Sequence, residues 1–268
     1  MTRAANPRTG ADTHDRVITV LRVRYAKTGK IRFTSHRDVA RIWERALRRV
    51  GVPVVRTEGF TPRPRVAFGL ALPTGYESIG EYLDIEVEEP SSTDALTGVG
   101  IADGCQLALD ELPDLLTAAL PVGMEVQTIE LRNGRGTSLQ EQVIRCGWSF
   151  EIRDLDETTA RQRVTELLDS ATLPTTRQHK GKERTDDLRP AIHHLEVLGT
   201  GPNGVLCAAE LSAKPRVVRP SEVATVMAPT HEMGVAVRLT QLIEHDDSLR
   251  ELIPSTDSSA PHARERAS

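Results

Sequence analysis

The sequence predicts an α+β protein of two tandem ferredoxin-like units, each with the order βαββαβ and an antiparallel sheet. Alternating apolar residues predict short strands, while apolar stripes at helical spacing predict helices between them. The order of these elements nearly repeats on either side of a polar, glycine-containing break. The resulting division is a disordered N-terminal segment at 1–16, a first domain at 17–131, a linker at 132–142, a second domain at 143–243 and a disordered tail at 244–268.

The first unit begins with an alternating strand over 17–25. A capping box formed by Ser35 and Asp38 opens a helix, and Gly51 ends it. The apolar residues of this helix fall at offsets 0, 3, 4, 7, 8 and 11, as one continuous stripe: Val39, Ile42, Trp43, Ala46, Leu47 and Val50. The remaining predicted elements are a short strand at 52–56, a proline-stiffened loop at 59–65, paired strands at 66–72 and 81–87, a helix with loops within 94–120, and a strand at 124–131.

The second unit repeats this order with its own strands and helices. We expect strands at 143–152, 173–177, 192–197, 205–211 and 235–242, with helices at 157–170 and 221–227. Beyond Glu244 the chain is rich in Ser, Pro, Arg and Glu, a composition typical of disorder.

Composition excludes several classes of protein. The mean hydropathy is −0.33, no apolar run approaches the ~18 residues of a membrane span, and the first residues contain no apolar leader segment. We therefore expect a cytoplasmic protein without membrane attachment. Cys105, Cys146 and Cys207 are scattered, which fits neither a disulfide framework nor a zinc ribbon. His193 and His194 point to opposite sides of a strand, so we expect no metal site and no cofactor.

Positive charge is concentrated between Arg22 and Arg65. This segment has 13 basic and 3 acidic side chains, a surplus of +10, although the whole chain has a formal charge of −4. Four arginines of the first helix form a second stripe on its solvent side: Arg37, Arg41, Arg45 and Arg48. A localised cationic surface on an acidic protein indicates a polyanionic partner.

The predicted RNA contacts combine the helix with its flanking turn and loop. They are Lys27, Lys30, Arg32, Arg37, Arg41, Arg45, Arg48, Arg63 and Arg65, with Lys180 and Lys182 as a second anion contact in the other unit. The alternative for the stripe is a solvated helix face on which Glu44 pairs with Arg41 or Arg48. The alternative for the second contact is a mobile hairpin tip.

His36 is the one catalytic candidate. It lies at the start of the first helix, where the helix dipole favours its neutral form, so it could act as a general base toward an RNA 2′-hydroxyl. The competing interpretation is a structural histidine or a hydrogen-bond donor to phosphate.

Several residue runs resemble the radical SAM-associated domain family, a domain of unknown function. They are Lys27–Asp38, Glu44–Arg49, Gly59–Pro64, Gly80–Asp84, Lys180–Lys182 and Asp187–Pro190. The resemblance implies association with a radical SAM enzyme and proximity to an RNase E/G-type ribonuclease, and it carries no established activity. Cys105 and Cys146, the nearest cysteine pair, are 41 residues apart, too far for the cluster motif of such an enzyme.

These observations predict a non-catalytic, cytoplasmic RNA-binding accessory protein that assists a radical SAM enzyme or an RNA-processing machine. Two alternatives stay open. One is a metal-independent endoribonuclease that uses His36. The other is a protein adaptor whose basic face docks an acidic partner.

Overall fold

A computed structural model describes residues 19–88, 98–100, 106–133, 136–179, 181–246 and 248–254. Over these residues the chain is a mixed α/β protein with a large, mostly antiparallel sheet and five helices. The strands are β1 Thr19–Lys27, β2 Val66–Phe68, β3 Glu77–Val87, β4 Gly98–Gly100, β5 Gln106–Ala108, β6 Met124–Asn133, β7 Val143–Arg153, β8 Pro174–His179, β9 Lys182–Asp187, β10 Ile192–Thr200, β11 Gly204–Ser212, β12 Met233–His245 and β13 Ser248–Glu251. The helices are α1 His36–Val50, α2 Leu112–Ala119, α3 Leu139–Gln142, α4 Glu157–Asp169 and α5 Pro220–Met227.

The main sheet contains nine strands and runs through both halves of the chain. Its order is β10-β11-β7-β12-β3-β1-β6, with β2 beside β3 and β13 beside β12. The two halves meet where β12 pairs with β3 in parallel, at Val237 opposite Glu77. β3 pairs with two strands along the same edge at different points of its length. Its first residues pair with β12, and its later residues pair with β2. The prediction of separate sheets missed this junction.

Two apolar clusters lie in the two halves of the molecule. In the first, α1 and α2 contribute buried side chains that pack with those of β1, β3 and β6. In the second, α4 and α5 do the same with β7, β10 and β11. α1 forms as predicted: the Ser35 hydroxyl accepts from the Asp38 amide at 3.2 Å, and Gly51 ends the helix with a φ of 82°. Trp43 and Leu47, on its apolar stripe, are buried.

Three predicted elements differ from the structure. The expected strand at 52–56 contributes only isolated bridges, Val54 with Val87 and Arg56 with Pro64. The expected strand at 66–72 is confined to β2. The segment predicted as a linker contains α3, whose Leu139 is buried against Tyr82.

The tail prediction was wrong for the residues just beyond Glu244. β12 continues to His245, β13 folds back on it, and Ile253 is buried. The reason is a set of long-range contacts: the Ile253 carbonyl accepts from the Arg24 guanidinium at 2.9 Å and from the Tyr82 hydroxyl at 3.1 Å. Residues 255–268 and the predicted N-terminal segment at 1–16 lie outside the described residues.

A hairpin of β8 and β9 forms a sheet of its own. The sequence predicted the first of these strands but not its partner. Its pairing extends from Pro174–Asp187 at the base to His179–Lys182 at the tip. Across the described part of the chain, no helix combines the length and apolarity needed to cross a bilayer.

Candidate functional site

The solvent side of α1 carries the predicted arginine stripe. Arg37, Arg41, Arg45 and Arg48 are all exposed. At a rise of 1.5 Å per residue, the stripe extends about 16 Å along the helix. Arg41 pairs with Asp38 at 3.2 Å in a solvent-exposed contact, rather than with Glu44 as the alternative interpretation expected. An exposed pair of this kind is weak, so it leaves the arginine available to an incoming anion.

The loop that follows α1 is closed like a narrow hairpin. The Thr57 amide donates to the Arg63 carbonyl at 2.9 Å, and the Arg63 amide donates to the Thr57 hydroxyl at 3.0 Å. The Arg63 side chain is exposed, as is that of Arg56. Arg65 is instead half-buried, with Nη1 3.5 Å from Glu86 Oε2. The loop therefore presents Arg63 to solvent, while Arg65 pairs within the fold.

A short 3₁₀ turn precedes α1 and presents one free cation and one paired cation. Lys30 is exposed. The Arg32 guanidinium donates to Glu77 Oε1 at 2.9 Å and lies 4.6 Å from the centre of the Phe33 ring. Phe33 itself is 63% exposed. Arg32 is thus held in place rather than free.

Lys27 is not on the surface, so its assignment as a phosphate contact was wrong. It is 3% exposed, and its ammonium donates to the Thr34 carbonyl at 3.1 Å. Burial lowers the pKa of this lysine. Side chains on both faces of β1 are covered, because every residue from Val20 to Lys27 is buried.

Two further cations of β1 are also buried. Arg22 forms two bonds of 2.8 Å with Asp84. Arg24 donates to Glu251 at 2.9 Å. The partners of both lie outside the basic segment, which explains why a local count of charges overestimated the cationic surface.

We call the solvent-exposed cations between residues 22 and 65 the basic surface. Eight exposed cations remain between residues 22 and 65, against two exposed acidic side chains, Asp38 and Glu58, a surplus of +6. They are Lys30, Arg37, Arg41, Arg45, Arg48, Arg49, Arg56 and Arg63. The sequence interpretation omitted Arg49 and Arg56, although their position beside the stripe and the loop could have indicated them.

His36 is the first residue of α1 and is exposed. Its ring meets the Phe68 ring edge to face, with 5.2 Å between centroids. Together with Lys27 and Glu81 it borders a cleft of about 10 Å³, room for a single water molecule. A substrate would therefore have to reach His36 from the outer surface.

The predicted second contact lies on the β8–β9 hairpin. Lys182 is exposed there, and Lys180 lies outside the described residues. This hairpin belongs to the second half of the chain and to a different sheet from β1 and β3. The main sheet therefore does not connect Lys182 to the basic surface, and we do not count Lys182 as part of that surface.

The histidine pair of β10 has protein partners. The ring of His193 lies 2.8 Å from the Ser212 hydroxyl, and His194 lies 3.2 Å from Glu196. Partial burial lowers the pKa of His193. Within the residues that the structure describes, no group of His, Cys, Asp and Glu side chains has a geometry suited to a metal ion.

A buried ion pair at the junction of the two halves was missed by the sequence interpretation. The Arg238 guanidinium donates to both oxygens of Glu81, at 2.6 to 2.9 Å, and also to the Leu70 carbonyl at 2.7 Å. Burial raises the pKa of the neighbouring Cys146 thiol to about 11. An arginine inside the apolar run of β12 was the only signal in the sequence.

Beside it, the side-chain amide of Gln241 donates to the Gly80 carbonyl at 2.6 Å, and the Ser78 hydroxyl donates to the Arg238 carbonyl at 3.3 Å. A Cβ at Gly80 would lie 2.8 Å from the Leu239 carbonyl oxygen. We call the set of Ser78, Gly80, Glu81, Arg238 and Gln241 the seam. It fixes β3 against β12.

Comparison with known proteins places this chain in a family. Residues 20–223 match the family described as uncharacterised protein conserved in bacteria (DUF2344), and the chain belongs to it. No curated protein matches the chain. A crystal structure of an unknown protein from Galdieria sulphuraria is similar over 82% of this chain and 98% of that one, at 11% identity and a TM-score of 0.20.

Proposed function

We propose that this protein is a non-catalytic RNA-binding accessory protein whose basic surface holds the RNA backbone. The observation that supports this best is the α1 stripe, which keeps four arginines exposed on one face of a rigid helix. Arginine suits this role because its guanidinium stays charged and donates two parallel hydrogen bonds to phosphate oxygens.

The surroundings of the stripe favour a polyanion over a single small anion. α1 lies between the 3₁₀ turn that carries Lys30 and the loop that carries Arg63. The cations are thus distributed along the helix and beyond both ends, as a chain of phosphates requires. A single phosphate would instead need several donors converging on one point.

The family resemblance extends the proposal to a partner. We propose that the protein assists a radical SAM enzyme, or a ribonuclease of the RNase E/G type, by holding RNA near it. The acidic remainder of the chain, with a formal charge of −14, would keep RNA from spreading over other faces.

We further propose that each half is a ferredoxin-like unit. Counting the strands of each βαββαβ set in chain order, β6-β1-β3-β2 and β12-β7-β11-β10 both read fourth, first, third, second. All neighbours within each set are antiparallel. The parallel contact at the seam would then be the joint between the units.

The test is a charge reversal with a matched control. Replacing Arg41, Arg45 and Arg48 with Glu should abolish binding to tRNA and rRNA fragments at physiological salt, measured by fluorescence anisotropy. The control variant replaces Arg153, Arg161 and Arg250 with Glu. These arginines are exposed in the second half, so the change in net charge is the same. The control should bind like the wild type, whereas equal affinity of both variants would refute the basic surface.

The same preparation separates the other two functions. The adaptor function would be indicated by two results together. Freshly purified protein would show no nucleic-acid contribution in its ultraviolet spectrum, and it would pull down an acidic protein in a salt-sensitive manner. RNA cleavage that disappears in His36→Ala would indicate the endoribonuclease. We expect neither result, and His36→Ala should retain RNA binding.

A further inference from the structure

Phe60 is fully exposed at the tip of the loop that follows α1. The loop is closed at its base by the Arg56–Pro64 bridge and by two hydrogen bonds between Thr57 and Arg63. Gly59, with a φ of 120°, turns the chain just before the ring. The ring buries nothing against the fold, so its whole surface is accessible to a binding partner.

The neighbours of Phe60 narrow the kind of partner. Glu58, Gly59, Thr61 and Pro62 are exposed as well, so the ring stands alone and is not part of a broad apolar patch. The nearest cations in the chain are Arg56 and Arg63, on the two sides of the tip. An isolated exposed ring with an exposed arginine on each side of it in the sequence fits a nucleotide, whose base offers a flat face and whose phosphate offers a charge.

A second exposed ring lies in the turn that precedes α1 in the chain. Phe33 is 63% exposed and has the Arg32 guanidinium 4.6 Å from its centre. The order along the chain is therefore ring, arginine stripe, ring. Stacks of arginine and aromatic rings recur where proteins hold unpaired bases.

We propose that the basic surface recognises RNA with unpaired bases, and that Phe60 stacks on one of them. This inference rests on the proposed function and names its substrate class. In a continuous A-form duplex the base faces are covered by their neighbours, so a phenyl ring has no base to stack on. A single strand, loop or bulge exposes a base while leaving the phosphates available to the α1 stripe.

The experiment compares three synthetic RNAs of equal length: a single strand, a hairpin with a bulge, and a fully paired duplex. Phe60→Ala should weaken binding of the first two by about 5- to 150-fold, the range given by the stacking of one base. Binding of the duplex should not change. The slope of affinity against salt should also stay the same, because no phosphate contact is removed.

Two further replacements identify stacking as the cause. Phe60→Trp should retain or increase affinity, whereas Phe60→Leu should behave like Phe60→Ala, because leucine is apolar but has no flat π face. A 2-aminopurine placed in the bulge should be quenched by the wild type and not by Phe60→Ala. Leu198→Ala, at an exposed apolar position on the distant strand β10, is the control and should have no effect.

The results distinguish failure of the inference on unpaired bases from failure of the proposed function. If the wild type binds none of the three RNAs, the proposed function fails. If it binds all three and Phe60→Ala weakens none, or weakens the duplex equally, the proposed function stands and the inference on unpaired bases is wrong. Loss of a protein partner in Phe60→Ala, with RNA affinity intact, would also overturn it, because the ring would then dock on protein.

Discussion

The arginine stripe of the helix α1 and three arginines of the interior strands β1 and β12 differ in their exposure to solvent. On α1, Arg45 and Arg48 are exposed on a solvent face. In the sheet, Arg22, Arg24 and Arg238 are buried, and each has a carboxylate partner from a distant part of the chain. The same residue type therefore serves structure in one place and is available for binding in the other.

The difference follows from the geometry of the two elements. A helix at the surface always has one face in water, so a charged stripe on that face needs no partner. A strand in the interior of a sheet that is covered on both sides has no such face. A charge placed there needs a carboxylate partner, as Arg22 has, or carbonyl acceptors, as Lys27 has, because burying an unpaired ion costs several kcal/mol.

The largest effect is expected from breaking the seam. Arg238→Leu should lower the free energy of unfolding by about 3–5 kcal/mol, because it leaves Glu81 buried without its partner. Urea denaturation followed by circular dichroism measures this change. The double variant with Glu81→Leu should recover much of the loss, since the unpaired charge is then gone as well.

A loss below ~1 kcal/mol in Arg238→Leu would mean that Glu81 finds water or a proton when its partner is removed. It would also weaken the distinction between the two groups of arginines. The RNA affinity of the double variant should equal that of the wild type, because the seam contributes no residue to the basic surface.

A much smaller effect on stability is expected from the stripe. The variant with Glu at positions 41, 45 and 48 should unfold within about 0.5 kcal/mol per substitution of the wild type, the usual range for surface positions. The same urea titration measures it. A large loss of stability would show that these arginines support the fold, and the loss of RNA binding in this variant would then have no simple interpretation.

The sequence allowed correct prediction of what depends on near neighbours. The start of α1 at Ser35, its apolar stripe and its arginine stripe follow from spacing within one helix, and the structure confirms all three. The alternating strands at either end of each half were also predicted, with boundaries close to those observed.

What could not be predicted depends on residues far apart in the chain. Lys27 is buried because other parts of the chain cover both faces of β1, and the seam exists because β12 meets β3 about 160 residues away. Residues after Glu244 have a composition typical of disorder, yet Ile253 is held by Arg24 and Tyr82. Composition reports the average preference of a segment, and a few specific contacts from elsewhere can outweigh it.

The most direct test of the difference between exposed and buried cations deletes one cation of each kind. Arg45→Met and Lys27→Met each delete a single positive charge, one exposed and one 3% exposed. The measurement is the dependence of RNA affinity on salt for both variants and the wild type.

Arg45→Met should reduce the steepness of log K against log salt by about 0.7, the value for one phosphate contact on a single strand, and Lys27→Met should leave it unchanged. Equal slopes for Arg45→Met and the wild type, or a reduced slope for Lys27→Met, would contradict the division of this chain into structural and RNA-binding cations.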